Sequence, residues 1–171
     1  NHPVGIQFIG AEDGGNLTVT GSSADVILNG MISNVSGNTS ITGKNIVQGT
    51  DGYIKTDDLV LNATNNVGAI DKLIQTDADS LSGSAGQATS GMFAVEVLHG
   101  GVELGNISAK DTAYIKSASD ITQLNDATVT ANRVELYSQT GGIGSSTDAL
   151  DISVEAPSNK VKDAAYGLKA E

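Results

Sequence analysis

The sequence predicts an all-β protein folded as a right-handed parallel β-helix, in which one chain winds into stacked coils. Short clusters of Val, Ile, Leu and Ala recur along the chain, and almost every gap between them contains Gly, Asn or Asp. Within the clusters, as in residues 17–20 and 59–62, apolar and polar residues alternate with the period of a strand. An internal repeat then favours a solenoid over a β-sandwich, because each coil meets similar neighbours.

The repeat joins residues 45–48 to residues 120–123. The match continues at the same offset, where Ile54 aligns with Val129 and Leu59 with Val134. A coil of a three-sided β-helix takes roughly 20 to 25 residues, so this offset predicts a separation of three or four whole coils. On the same basis, the whole chain is expected to contain roughly six to eight coils.

The composition suits a narrow aliphatic core. The 171 residues are enough for one domain with a sizeable core, yet the chain has no Trp, two Phe and four Tyr. Stacked Val, Ile, Leu and Ala side chains can fill a thin column without large aromatic rings. Only two Pro interrupt the chain, and this favours continuous hydrogen-bonded ladders between coils.

Two regions depart from this rhythm. Residues 82–91 carry almost no large side chain, and we interpret them as a loop in preference to a coil packed with small residues. After Pro157 the alternation is lost, and four residues could line one helical face: Val161, Ala164, Ala165 and Leu168. We therefore expect a β-helix shaft over residues 1–156, followed by a short helix, cap or frayed tail over residues 157–171.

A family resemblance rests on a succession of segments in the second half. These are residues 102–109, 120–123, 129–131, 134–136, 141–146 and 148–154. The succession resembles the repeats of filamentous-haemagglutinin-like adhesins, which bacteria export by two-partner or autotransporter routes. Residues 45–48 and 59–70 resemble the same pattern more loosely, so the resemblance covers residues 14–156. The resemblance implies a right-handed β-helix shaft, secretion to the cell surface and a role in adhesion, and it carries no catalytic residues.

The charge and the cysteine count limit the environment and the partners. A net charge of −11 disfavours nucleic acids and anionic membranes as partners. The absence of Cys excludes disulfides and thiolate chemistry, and it fits bacterial export. No stretch of 18 apolar residues is present, so we expect no membrane insertion. The chain starts at Asn1 without a Met or a signal-peptide pattern, and we expect a piece of a longer protein.

An enzymatic role has few candidate residues. Some parallel β-helices cleave polysaccharides, which requires paired carboxylates, and the candidate pairs are Asp57–Asp58 and Asp77–Asp79. Neighbours in a regular strand point to opposite faces, so Asp57 and Asp58 are not expected to converge there. His99 precedes Gly100 at an apparent turn and has no Ser or Cys partner at a readable spacing. We predict no catalytic activity, no cofactor and no metal site.

Residues 95–104 are the best candidate for a partner contact. Two alternating runs flank a Gly-containing turn, which is typical of a protruding hairpin. The other interpretation, which we favour, is two consecutive solenoid strands at a corner. In either case the candidate contact residues are Glu96, His99 and Glu103.

The sequence thus predicts an extracellular adhesin segment, a shaft that attaches to host cells, glycans or other bacteria. The expected partners are a receptor on one of those surfaces and an outer-membrane transporter during export. Exposed strand edges at the two ends also allow self-association end to end. The alternatives are a polysaccharide-active lyase or hydrolase on the same scaffold, and a subunit of an extracellular fibre.

Overall fold

The chain is a parallel β-solenoid of about six turns. The computed structural model describes residues 14–21, 23–87, 90–145 and 149–154, together with the backbone of residues 6–7 and 168–170. Within these residues every pairing between strands is parallel, and there is no helix, so none could cross a membrane. The prediction of an all-β solenoid is confirmed, at the low end of the expected number of coils. Its right-handed sense stays a prediction, based on the strong preference of parallel crossovers.

Fifteen strands form the described part of the solenoid. In chain order they are β1 (Ile6–Gln7), β2 (Leu17–Thr20), β3 (Val26–Leu28), β4 (Met31–Gly43), β5 (Ile46–Gln48), β6 (Tyr53–Ala63), β7 (Ile74–Ala85), β8 (Met92–Val97), β9 (Val102–Ala109), β10 (Thr112–Ser117), β11 (Ile121–Gln123), β12 (Val129–Ala131), β13 (Arg133–Ser138), β14 (Ile152–Val154) and β15 (Leu168–Ala170).

The strands stack into three faces. Face 1 contains β1, the first parts of β4, β6 and β7, and then β8, β10, β13 and β15. Face 2 contains β2, the second parts of β4, β6 and β7, then β9, the β11 and β12 pair, and β14. Face 3 contains β3, β5 and Val67, and it joins β8 through Phe93.

The faces meet at corners where the strand alternation breaks. In β6 the inward residues Thr56 and Leu59 are separated by two outward residues, Asp57 and Asp58, instead of one. The chain thereby turns from face 1 to face 2 without leaving the hydrogen-bonded ladder. Long strands such as β4, β6 and β7 therefore span two faces each.

Equivalent inward residues lie over one another in columns. A column on face 2 contains Val19, Ile41, Leu61, Gly83, Ile107, Val129 and Ile152. A column on face 3, continued by β8, β10 and β13, contains Val26, Ile46, Val67, Phe93, Ala113 and Val134. Their buried members belong to one continuous apolar core, as the sequence predicts.

The length of a turn varies along the chain. The turn that runs from Val67 to its stacked partner Phe93 is longer than the turn that runs from Val102 to its stacked partner Ile121. The longer turn contains an excursion in which Ala69 and Lys72 exchange backbone hydrogen bonds across a tight turn. Both turns are close to the predicted length of a coil, and the extra residues leave the ladder as loops.

The internal repeat does not mark equivalent positions, and its interpretation as whole coils is wrong. Ile46 stacks on Val67 in face 3, whereas Ile121 stacks on Val102 in face 2. Similar short strands occur on different faces because every inward position needs the same aliphatic residues. The sequence match therefore reports the strand type and not the face.

The interpretation of residues 82–91 as a loop is wrong for residues 82–85, which continue β7. Gly83 occupies an inward position with φ 146°, and a Cβ there would overlap the Leu61 carbonyl oxygen. The small residues thus allow two successive strands to approach closely. Residues 86, 87, 90 and 91 belong to no strand, and residues 88 and 89 lie outside the described part.

Of the helix, cap or frayed tail expected over residues 157–171, the structure describes only a short strand at the end. Residues 168–170 form β15, in which Leu168 pairs in parallel with Val134. Within residues 157–171, the remaining residues lie outside the described part. The turn from Val134 to Leu168 is longer in sequence than the turns before it.

A buried polar cluster joins faces 1 and 2 near the N-terminal end. Asn34 and Thr39 are fully buried, and the Asn34 amide nitrogen donates to the Gly15 carbonyl oxygen at 2.9 Å. The Thr39 and Thr56 hydroxyls share a hydrogen bond of 2.9 Å, and the Thr56 hydroxyl donates to the Gly37 carbonyl oxygen at 2.6 Å. At this corner the side chains satisfy buried backbone carbonyl groups that no neighbouring strand can reach.

Truncation of a stacked core residue tests the column arrangement. Ile121 and Leu136 are fully buried. We expect Ile121→Ala and Leu136→Ala each to lower the free energy of unfolding by about 2–5 kcal/mol, because each leaves a cavity in the column. Val35→Ala is the control, because Val35 is 44% exposed, and surface changes cost less than about 0.5 kcal/mol. Urea unfolding of all three variants measures the difference, and equal losses would contradict the arrangement.

Candidate contact surface

The segment of residues 95–104 is a corner and not a hairpin. β8 pairs with β7 and β10, β9 pairs with β7 and with β11 and β12, and all of these pairings are parallel. The favoured interpretation of two consecutive solenoid strands is confirmed. As a result Glu96 and His99 lie at face 1, whereas Glu103 projects from face 2 and is exposed.

Glu96 is an engaged carboxylate. Lys116 lies in register with it on β10, and the Lys116 ammonium donates to Glu96 Oε1 at 2.7 Å. The Glu96 side chain is only 17% exposed. This carboxylate is therefore paired with a cation and is not an isolated negative charge.

His99 lies in the turn after β8 and packs against Asp77 of the preceding coil. Its Nδ1 is 2.9 Å from Asp77 Oδ2, and its backbone N–H donates to Asp77 Oδ1 at 2.9 Å. The His99 side chain is 78% exposed, as expected of a turn histidine. The Tyr53 hydroxyl also donates to Asp77, so one carboxylate ties a strand of one coil to the turn of another.

The Tyr53 hydroxyl is a weaker acid than usual. Partial burial of the ring raises its pKa above the ordinary value, and the hydrogen bond to Asp77 and the charge of that carboxylate raise it further. A neutral hydroxyl is what the contact requires, because only the protonated form can donate to Asp77. The group therefore acts as a hydrogen-bond donor to Asp77.

A second set of residues near Glu96 forms a surface that the sequence analysis missed. We call it the tyrosine surface, and it comprises Tyr114, Lys116, Arg133, Glu135 and Tyr137 on β10 and β13. The Tyr114 and Tyr137 rings lie 5.1 Å apart between centroids and are tilted by 38°. Tyr114 lies in register with Glu135, and Lys116 with Tyr137, so these side chains alternate across two neighbouring strands.

Glu135 holds the tyrosine surface together. Its side chain is only 7% exposed although it lies on the outer side of the sheet. Arg133 Nε lies 2.7 Å from Glu135 Oε1, and the Tyr137 hydroxyl donates to Glu135 Oε2 at 2.9 Å. A covered carboxylate requires such partners, because an unpaired buried charge is costly. The result is a fixed arrangement of two rings and two cations.

The positions of the two tyrosines in the sequence point to this surface, although the assignment of strands does not by itself use them. Tyr114 alternates with the buried residues Ala113 and Ile115, and Tyr137 follows the buried Leu136. The two tyrosines are separated in sequence by about the length of one turn. Outward aromatic residues at this separation are expected to meet on adjacent strands, once the face of each strand is known.

Two acids of the candidate carboxylate pairs, Asp77 and Asp58, are engaged in hydrogen bonds. Asp77 binds Tyr53 and His99, and Asp58 accepts a hydrogen bond of 2.6 Å from the Ser80 hydroxyl. Asp57 and Asp58 are both outward at the corner of β6, so the alternation of a regular strand does not hold there. Among the residues that the structure describes, no group of three His, Asp or Glu side chains is arranged to hold a metal ion.

The raised pKa of Tyr53 predicts a loss of stability at alkaline pH. The unfolded chain loses this proton near pH 10, whereas the folded chain retains it to higher pH. Stability from this group is present below about pH 10 and falls as the pH rises above it. We expect Tyr53→Phe to show a shallower decline in unfolding free energy between pH 9 and about pH 11. Urea titrations at both pH values measure this, and identical declines in the two proteins would contradict it.

Comparisons with known proteins returned no relative. No family model, no curated protein and no solved structure matches the chain.

Proposed function

We propose that this chain is a segment of a bacterial surface adhesin, a shaft that presents contact residues to a target surface. The observation that supports the proposal best is the continuity of the core through all of the described turns. Because each turn is hydrogen-bonded to the next along three faces, the solenoid resists bending. A stiff rod of this kind holds outward side chains in fixed positions away from its point of attachment.

The resemblance of residues 102–154 to filamentous-haemagglutinin-like repeats supports the same role. On this proposal the chain acts outside the cell, after export through an outer-membrane transporter. Its targets are host cells, glycans or other bacteria. A solenoid suits such export because its turns can form one after another on the preceding turn as the chain emerges.

The tyrosine surface is the contact surface that we propose. Tyr and Arg are enriched at the centres of protein interfaces, where rings supply contact area at a low entropy cost. Tyr114 and Tyr137 are already fixed against each other, and Glu135 is already paired with Arg133. Binding there would require little ordering of side chains, which favours affinity.

We propose that the segment acts without catalysing a reaction. Of the acids suggested from the sequence, Asp77 is occupied by Tyr53 and His99, and Asp58 by Ser80. Such contacts fit a structural role, in which outward acids lock successive turns to one another.

Attachment assays with the purified chain test this function. We expect the chain to be retained on epithelial cells, on immobilised glycans or on bacteria. We expect Tyr114→Ala/Tyr137→Ala to weaken that retention by about tenfold or more, equivalent to about 1.4 kcal/mol. Thr18→Ala is the matched control, because Thr18 is an exposed residue of face 2 far along the chain from β10, and we expect unchanged retention. Absence of retention on every surface would contradict the adhesin role, and full retention of the double variant would remove the tyrosine surface from it.

A further inference from the structure

A groove lies on the outer surface of face 2, away from the tyrosine surface. It is shallow and largely open to solvent, with a volume of about 480 Å³. Six of the residues that line it are Val60, Asn62, Ser82, Ser84, Asn106 and Leu124. We call it the face 2 groove.

A bulge and a loop create this groove. Leu81 pairs with Leu104 and Gly83 with Ile107, so residues 105 and 106 of β9 together oppose Ser82. Gly105 has no side chain to fill the space between Ser82 and Leu124. A Cβ at this position would occupy that space, 3.0 Å from Ser82 Cβ and 3.6 Å from Leu124 Cδ1. The groove exists because position 105 carries no side chain.

One wall of the groove is a loop between β11 and β12. Residues 124–127 form a turn, closed by a hydrogen bond of 3.0 Å from Ala127 N–H to the Leu124 carbonyl oxygen. Asp126 adopts φ 60° within that turn. The Thr128 N–H then donates to Asn106 Oδ1 at 3.0 Å, which anchors the loop to the bulge. Leu124 remains 40% exposed above Gly105.

The lining of the groove is uncharged, although the chain carries a net charge of −11. Asn62 Oδ1 accepts from the Ser84 hydroxyl at 2.9 Å, and Asn106 Oδ1 accepts from Thr128. Among the described residues, neither amide nitrogen donates a hydrogen bond, so both remain as donors at the groove. Val60 and Leu124 add apolar contact area.

We infer that the face 2 groove binds a neutral glycan chain, at a second site separate from the tyrosine surface and beyond the proposed function. Sugar hydroxyls accept from amide nitrogens and exchange hydrogen bonds with serine hydroxyls, while the C–H faces of the ring pack on Leu124 and Val60. No cation lines the groove to pair with a sulfate or carboxylate, and an unpaired anion is costly to desolvate. The lining therefore selects uncharged sugars.

The surroundings of the groove suit a ligand longer than the groove itself. One outward column of face 2 continues through it along the solenoid axis, and all of its members are uncharged and polar: Thr20, Thr42, Asn62, Ser84, Ser108, Thr130 and Ser153. A peptide would have less to gain, because this is the face of a sheet and not an edge that offers backbone hydrogen bonds.

Calorimetric titration of the whole chain with defined oligosaccharides tests the inference. The neutral probes are cellohexaose, laminarihexaose, chitohexaose and mannohexaose, and the anionic probe is hexagalacturonic acid. We expect at least one neutral probe to bind and the anionic probe not to bind. Asn106→Asp retains the acceptor for Thr128 but removes the free donor and adds a charge, and we expect it to weaken binding at least tenfold.

Asn38→Asp is the matched control, with the same atomic exchange and the same added charge. Asn38 is an exposed residue of face 2 that does not line the groove. We expect its affinity to stay within twofold of the parent chain and both variants to keep the thermal unfolding transition of the parent. Leu124→Ala provides a second groove variant without a charge, and we expect it to weaken binding as well.

The outcomes separate this inference from the proposed function. Binding of neutral probes that is lost in Asn106→Asp and Leu124→Ala supports the groove. If no neutral probe binds, or if binding is unaffected in both groove variants, the inference is overturned even where the chain still attaches to cells. Binding of the anionic probe alone overturns it too. Attachment to no surface at all overturns the adhesin role.

Discussion

Hydrogen bonding of each strand to its counterpart one turn away is the constraint on which the rest of the structure depends. Because the strands are parallel and in register, each inward residue must pack against residues of the same column above and below it. The columns that include Ile41 and Ile46 therefore run through successive turns. Two inward positions do not carry an aliphatic side chain. At Gly83 the neighbouring strand approaches too closely for any side chain. At Asn34 a corner exposes backbone carbonyl groups to the core, and the amide binds one of them.

The same constraint leaves the outward positions free. Since the core depends only on alternate residues, the outer surfaces can differ in chemistry without any change in fold. Face 1 carries tyrosines and paired charges around Glu135, whereas face 2 carries a column of uncharged hydroxyl and amide groups around Asn62. Where a turn contains more residues than its strands use, as at Leu124, the extra residues form a loop that changes the surface locally. Recognition can thus be built on a rod whose interior is uniform.

Local patterns in the sequence were sufficient to predict the strands, the parallel solenoid and the corner at residues 95–104. They were insufficient for the register, because aliphatic strands on different faces look alike, as Ile46 and Ile121 show. The contact surfaces depend on that register. Glu96 and His99 reach the same face, but Glu103 does not, and Tyr114 meets Tyr137 only when β10 pairs with β13. The sequence predicts a loop at small residues such as Ser82, which lie in a strand, because a close approach between two strands leaves no periodic pattern in the sequence.

Distances between spin labels on one outward column test the central claim most directly. The chain has no Cys, so pairs of introduced cysteines can be labelled cleanly. The register places Thr20 four, five and six strands from Ser108, Thr130 and Ser153 respectively. With strands about 4.8 Å apart, the backbone separations are about 19, 24 and 29 Å. Label distances from Thr20 that increase by about 5 Å at each step would support the stacked columns. Distances without that even increment, as in antiparallel sheets packed face to face, would contradict them.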